Sequence, residues 1–362
     1  MKILFFINAL QHGGAARVIS IISNELASRG HEIFVMADIL YQEVNFEFNS
    51  NTNLISIFTE GSSKYPGIVK KFHSCYNVRK NIKRLKPDII VGVLPGNFLK
   101  VMICSLGLSI PIVASDHTSF DRKIDWYNNF IRFHLYNFAN AVTILTEADD
   151  TSLGKRLPKR VIMPNPLTYN ILPEQNIKAN IILAVGRLDA WHVKGFDILI
   201  EVWARIAKKY PDWILEFAGN GSSESLSTLK GLISKLGITN HVNFLGFSTD
   251  MEKIYRKSAI FALSSRYEGF GMAIIEAMSQ GCACVCFDHG GRQSEIITSS
   301  KSGIIIKNQN KDEMEKAFIG LIEDDSLRKS IGEYAKQEVI RYSKEAVVER
   351  WEMLFTNLAS QN

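Results

Sequence analysis

Short apolar runs of strand length alternate with longer helical patterns along the chain, and this alternation starts twice. The first series reads KILFFINAL, a helix from about Gly14 to Arg29, then EIFVMA, DIIVGV, IPIVAS, AVTILT and RVIMP. The second begins at IILAVGR and continues through WILEFAGN, HVNFLGF, AIFALSS and CACVCFD. Strands separated by helices can be joined in parallel, because each crossover helix covers a face of the sheet, so the pattern predicts two doubly wound α/β sheets. Between the series, PNPLTYNILPEQNIKAN exchanges periodicity for prolines and polar residues, which reads as a linker near residues 165–180. With 362 residues, 46% of them apolar, the chain exceeds what one core supports and can fill two. The expected domains are residues 1–168 and 169–343. The last segment, from about Lys344, carries Val347, Val348, Trp351, Leu354, Phe355 and Leu358 at helical spacing with no strand after it, so it is expected to pack back on the first domain.

The N-terminal MKILFFINALQHGG breaks quickly into polar residues and glycines without a small-residue cleavage site, and reads as a first strand rather than a signal peptide. No apolar stretch approaches the roughly 18 residues of a spanning helix, so a cytoplasmic protein that at most lies on a membrane surface is expected. Cys282, Cys284 and Cys286 alternate along CACVCF, as buried, reduced thiols on one face of a strand would, and a strand spreads such ligands too far apart for zinc. Residues 1–170 hold 19 Lys and Arg against 13 Asp and Glu. Much of that excess comes from Lys70, Lys71, Arg79, Lys80, Lys83, Arg84 and Lys86, interleaved with Phe72, Tyr76, Val78, Ile82 and Leu85 in a basic amphipathic helix. Two readings of that helix stand side by side: a solvated helix with its apolar stripe on the core, or a docking element for anionic lipid head groups. The aromatic segment Trp126, Tyr127, Phe130, Phe133, Tyr136 and Phe138 divides in the same way, between interface and core.

Three motifs carry chemistry. His12-Gly13-Gly14-Ala15-Ala16-Arg17 follows the first strand and opens a helix, where glycines admit a phosphate to backbone N–H groups and the helix dipole favours its charge. Its spacing is not G-x-G-x-x-G, which disfavours NAD although Asp38 ends the next strand. Gly186-Arg187-Leu188-Asp189 ends a strand and is followed by Lys194-Gly195-Phe196-Asp197 at a second helix, so a planar guanidinium and a compact ammonium can together neutralise a diphosphate. Ser265-Arg266-Tyr267-Glu268-Gly269-Phe270-Gly271 then leads into a helix bearing Glu276 and closed by Gly281. Carboxylates suit hydroxyl-rich ligands, since each accepts two hydroxyl hydrogen bonds from a ribose diol or a hexose. His117, after IPIVAS, lies at a carboxyl edge where open α/β sheets bind ligands, and Asp288-His289-Gly290-Gly291 is a further loop of the same kind.

On Gly13-Gly14 with Arg17, Gly186-Arg187, Lys194-Gly195-Phe196 and the run from Glu268 to Glu276, the chain resembles glycosyltransferase family 4 of the retaining, GT-B type over essentially its whole length. The resemblance implies two Rossmann-like domains facing a central cleft, the first for acceptor and the second for a nucleotide sugar. It implies that Glu268 contacts the sugar hydroxyls and Glu276 the ribose, with seven residues between them. It gives Arg187 and Lys194 the diphosphate, turns the Gly269-Phe270-Gly271 backbone toward sugar and phosphate, and brings His117 near the sugar. Arg17 faces the diphosphate or an acceptor group. Ala16 stands where many members carry glutamate, and an insertion, Ala-Trp-His-Val, separates Asp189 from Lys194.

The expected activity is transfer of a hexose or N-acetylhexosamine from a nucleotide sugar, UDP-linked by resemblance, to a lipid-linked glycan acceptor in surface polysaccharide, O-antigen or glycan assembly. No cofactor and no metal are expected, because Arg187, Lys194 and helix N-termini can stabilise the departing diphosphate. An anionic membrane surface is a candidate partner. Nucleic acid is not, since the basic patch lacks an RNA-binding motif and the cleft carboxylates repel a polyphosphate backbone. A sugar-nucleotide epimerase of the same architecture and a non-catalytic nucleotide-sugar binder stand as alternatives.

Overall fold

The structure is a computed structural model describing residues 1–11, 13–122, 124–173 and 177–360. His12 of the first glycine motif therefore lies outside the described residues. Two compact units are present, residues 1–168 with 343–362, and residues 169–342.

The first unit is built on seven parallel strands: β1 (Lys2–Phe6), β2 (Glu32–Ala37), β3 (Thr52–Ser56), β4 (Ile89–Val93), β5 (Ile112–Ser115), β6 (Ala141–Ile144) and β7 (Arg160–Ile162). Their order is β3-β2-β1-β4-β5-β6-β7. Ile3 to Phe6 are fully buried, as a strand covered by helices on both faces must be, which is why these strands read as unbroken apolar runs. The helix Lys344–Ala359, capped by Ser343 Oγ accepting from the Ala346 N–H, belongs to this unit. It packs on the helix Gly14–Ser28, with Trp351 edge-on to Phe5 at 6.5 Å.

The second unit has six parallel strands: β8 (Ala179–Val185), β9 (Ile214–Ala218), β10 (Val242–Gly246), β11 (Ser258–Leu263), β12 (Ala283–Phe287) and β13 (Ile304–Ile306), in the order β10-β9-β8-β11-β12-β13. Ala283, Val285 and Phe287 of β12 join the main apolar cluster, while Cys282, Cys284 and Cys286 are buried free thiols set at the alternate positions. In each sheet the chain order reverses direction once, between β1 and β4 and between β8 and β11. These are topological switch points, where the loops beyond the carboxyl ends of adjacent strands diverge and leave a crevice for ligand.

Two strands, β3 and β13, have no counterpart among the runs read from sequence. β3 lies at a sheet edge with Thr52 alone of its five residues buried, and β13 is three residues long, so neither leaves a strong apolar signature. The basic helix, Gly67–Leu85, does not carry one apolar stripe. Val78 and Ile82 face the core, whereas Phe72 and Tyr76 are 73% and 69% exposed. The aromatic segment splits likewise: Tyr136 is fully buried against Phe98, while Trp126 and Phe138 are exposed. Among the described residues no helix is long and apolar enough to cross a membrane.

Candidate functional site

In the second unit the motif residues meet beyond β8 and β11. The Gly186 N–H donates to the Ala218 carbonyl, and the Leu188 N–H to that of Asn220, so the loop after β8 is laced to the loop after β9. Asp189 fastens the same loop to the helix Ser223–Lys235 by accepting from the Ser222 N–H and the Ser222 and Ser225 hydroxyls at 2.7–2.9 Å. Those donors hold its carboxyl below the usual range, the Ser222 N–H contributing most. The inserted residues do not push Lys194 away. They coil into a helical turn, Trp191–Lys194, that follows a 3-10 turn at Leu188–Ala190. Lys194 returns with its aliphatic stem over Gly186, where an added Cβ would meet it at 3.2 Å.

Close backbone approach fixes this return. Gly195 has φ 65°, and a Cβ there would lie 1.9 Å from the Ser264 carbonyl oxygen; at Gly219 it would lie 2.0 Å from that of Gly186. The Ser264 hydroxyl donates to the Lys194 carbonyl at 2.9 Å, joining the loop after β11 to the turn. Arg266 completes the seam with a bidentate pair to Asp197 at 2.7 Å and a backbone N–H bond to Val193. Burial alone would raise the Asp197 carboxyl, but the Arg266 guanidinium outweighs it and holds it low. The Lys194 ammonium then donates to Glu268 Oε1 at 2.7 Å, and the Ser265 hydroxyl donates to the same oxygen at 2.7 Å. Among the described residues no hydrogen bond reaches Glu268 Oε2. Arg187 is exposed, and its guanidinium makes no hydrogen bond or ion pair among them. One anchored cation, one exposed cation whose charge is felt by Asp189, and one half-engaged carboxylate thus stand at the switch point.

Gly269 and Gly271 flank Phe270, whose ring turns inward against Tyr342 at 5.4 Å, so the segment offers backbone rather than side chain. Gly271, at φ 95°, caps the helix Met272–Ser279, whose first N–H groups have no intrahelical acceptor. Glu276 sits inside that helix and is 5% exposed. The Tyr255 hydroxyl donates to its Oε2 at 2.9 Å. Burial, reinforced by this carboxylate, raises the Tyr255 phenol well above its ordinary value, so it stays a donor. Asp288 accepts from the Gln293 N–H, Ser294 N–H and Ser294 Oγ in the first turn of the helix Arg292–Ile296, and the His289 ring is tilted against that of Tyr267 with centroids 4.2 Å apart.

In the first unit, Gly13 (φ 109°) precedes the helix Gly14–Ser28 directly beyond β1, and Arg17 lies in its first turn with the guanidinium 5.9 Å from the Phe46 ring. Ala16 is buried. His117 lies beyond β5, two strands along the sheet from β1. Its Nε2 is 3.1 Å from Ser115 Oγ and its Nδ1 3.1 Å from Asn165 Oδ1. Thr143 Oγ1 donates to Ser115 Oγ, so a neutral ring protonated at Nδ1 satisfies every partner. Burial lowers the His117 pKa, against the opposing pull of Asn165 and Asp116. A histidine held neutral in the fold destabilises it in acid: the unfolded chain takes up a proton below its ordinary pKa of 6.5, while the folded chain does so only lower. Thermal stability is therefore expected to fall as pH drops below about 6.5, and His117→Gln to flatten that slope in a melting series. An unchanged slope removes the neutral assignment.

Asp116, beside His117, accepts from buried Arg132 at 2.7 and 2.9 Å and from the Tyr136 hydroxyl at 3.1 Å. Thr118 Oγ1 also accepts from Arg132. This ion pair sets the His117 loop onto the segment after Trp126, and breaking it strands a buried charge. Arg132→Leu is expected to cost about 3–5 kcal/mol of unfolding free energy, measured by urea titration. Leu94 occupies φ 73° and ψ 156° at the end of β4, a region that non-glycine residues avoid, beside the first switch point. Arg132, Asn165, Tyr255 and Leu94 escape sequence reading, because their partners are chosen by the fold and no motif marks them.

Two doubly wound sheets, each with one topological switch point, form the GT-B architecture. Residues 12–169 match the family model described as Glycosyltransferase Family 4, and residues 171–338 that described as glycosyl transferases group 1. The chain is a glycosyltransferase of the family 4 type. An uncharacterized glycosyltransferase of Haemophilus influenzae is 28% identical over 97% of this chain and 98% of its own. A GalNAc-alpha-(1->4)-GalNAc-alpha-(1->3)-diNAcBac-PP-undecaprenol alpha-1,4-N-acetyl-D-galactosaminyltransferase of Campylobacter jejuni is 23% identical over 97% of each chain. The crystal structure of Anabaena HepE in complex with UDP superposes with a TM-score of 0.80 at 20% identity, covering 99% of this chain and 100% of that one.

Proposed function

We propose that this glycosyltransferase is a retaining enzyme that moves a hexose or N-acetylhexosamine from a UDP-sugar to a lipid-linked glycan, in bacterial surface polysaccharide or glycan assembly at the cytoplasmic face of the membrane. The carrying observation is the Lys194–Glu268 pair beside Gly186 and the exposed Arg187, at the switch point between β8 and β11. The Campylobacter relative, named for a diphospho-undecaprenol acceptor, and the UDP complex of HepE favour the same substrates.

On this reading Arg187, Lys194 and the first N–H groups of the helix Met272–Ser279 take the diphosphate, Glu268 Oε2 a sugar hydroxyl and Glu276 the ribose. Gly13, Gly14, Arg17 and His117 serve the sugar and acceptor side. The bond from the anomeric carbon to the phosphate oxygen breaks, its electron pair leaves with the nucleoside diphosphate, and the acceptor oxygen takes its place. Attack on the face being vacated puts the departing oxygen within reach of the acceptor's proton. Fixed positive charge lowers the barrier by stabilising the leaving group, without a metal.

Calorimetric titration with UDP, GDP, ADP and NAD in EDTA tests the donor. UDP is expected to bind at least about tenfold tighter than the other three, a difference of about 1.4 kcal/mol. Binding of NAD alone, or UDP binding only when a divalent ion is restored, overturns the reading.

A further inference from the structure

The helix Gly67–Leu85 presents a second face that the core does not use. Ile68, Phe72 and Tyr76 follow at four-residue steps and are 68%, 73% and 69% exposed. Lys80, Lys83 and Arg84 are exposed on the next two turns of the same side, opposite Ser74, Val78 and Ile82. Exposed apolar side chains grouped on one helix face beside a run of cations mark a surface suited to an interaction. The surrounding charge says which partner. Residues 61–110 carry nine Lys and Arg against one acid, Asp88. Arg79 donates to the Cys104 and Leu106 carbonyls at 2.8 and 2.9 Å, which ties the helix to its neighbour Pro95–Cys104 and gives it a rigid backing.

We infer that this face of the first unit docks on an anionic lipid bilayer, with Ile68, Phe72 and Tyr76 inserted at the level of the head groups and Lys80, Lys83 and Arg84 against their phosphates. Aliphatic Ile68 together with Phe72 and Tyr76 in a basic field fits a bilayer, which offers both anionic head groups and hydrocarbon. The inference gives a purpose to the proposed lipid-linked acceptor, yet the binding itself needs neither donor nor acceptor.

Vesicles free of substrate therefore test it separately. The full chain is sedimented with phosphatidylcholine vesicles and with vesicles of equal phosphatidylcholine and phosphatidylglycerol. Strong partitioning is expected only to the anionic ones, falling about fivefold for each cation removed in Lys80→Gln and Lys83→Gln. Phe72→Ser with Tyr76→Ser is expected to abolish most of it while UDP binding and melting temperature stay unchanged, since both side chains face solvent. Phe72→Trp is expected to shift its fluorescence to the blue on adding anionic vesicles. Absence of anionic partitioning, or partitioning that ignores Phe72 and Tyr76 but follows charge, overturns the inference and, in the second case, identifies a polyanion site. Loss of UDP binding in the natural protein with vesicle binding intact overturns the donor reading alone.

Discussion

Alanine in place of Lys194 is expected to lower kcat/KM for sugar transfer about 10²–10³-fold, equivalent to about 2.7–4 kcal/mol of transition-state stabilisation. Two effects add. The diphosphate loses a cation that the loop geometry fixes before substrate arrives, and Glu268 keeps only the Ser265 hydroxyl on Oε1, leaving an uncompensated negative charge where more negative charge develops. Lys194→Arg restores the charge but not the fit, because the lysine stem lies against Gly186 and the fork of arginine is broader. It is expected to recover only part of the rate. Steady-state kinetics with UDP-sugar and acceptor decides the matter, read beside a melting curve. A variant that melts lower yet turns over at the natural rate makes Lys194 a structural residue.

Glu276→Gln is expected to weaken UDP binding about 10–100-fold, the loss associated with hydrogen bonds to a charged acceptor. The amide preserves volume, so a change in packing does not explain the loss. Tyr255→Phe removes a hydroxyl that donates to Oε2, and is expected to weaken UDP by a smaller factor. A calorimetric cycle against 2′-deoxy-UDP separates positioning from general destabilisation. If Glu276 meets the ribose, removing the ribose hydroxyl costs the natural protein far more than it costs the glutamine variant. Equal costs in both proteins sink the assignment.

Most strands were legible because a buried parallel sheet demands apolar runs, and EIFVMA coincides with β2 residue for residue. β3 and β13 were not, since an edge strand and a three-residue strand bury too little to mark themselves. The phosphate loops announced themselves through glycines and charges whose chemistry is local. Their supports did not. Asn165 is 48 residues from His117, Tyr255 21 from Glu276, and Arg266 69 from Asp197. Any of these side chains reads as ordinary until the fold brings its partner near. The basic helix shows the converse limit: periodicity correctly found an amphipathic segment, but Phe72 and Val78 look alike in sequence and stand on opposite faces.

Gly195 and Gly219 each leave no space for a single methyl group, because a neighbouring carbonyl oxygen already occupies it. The shape of this loop cluster is thus set by missing atoms, and selection has no side chain there to vary. Diversity of donor among descendants of such a scaffold has to be written in side chains rather than in the backbone of these loops, and a library meant to change the transferred sugar leaves the two glycines untouched.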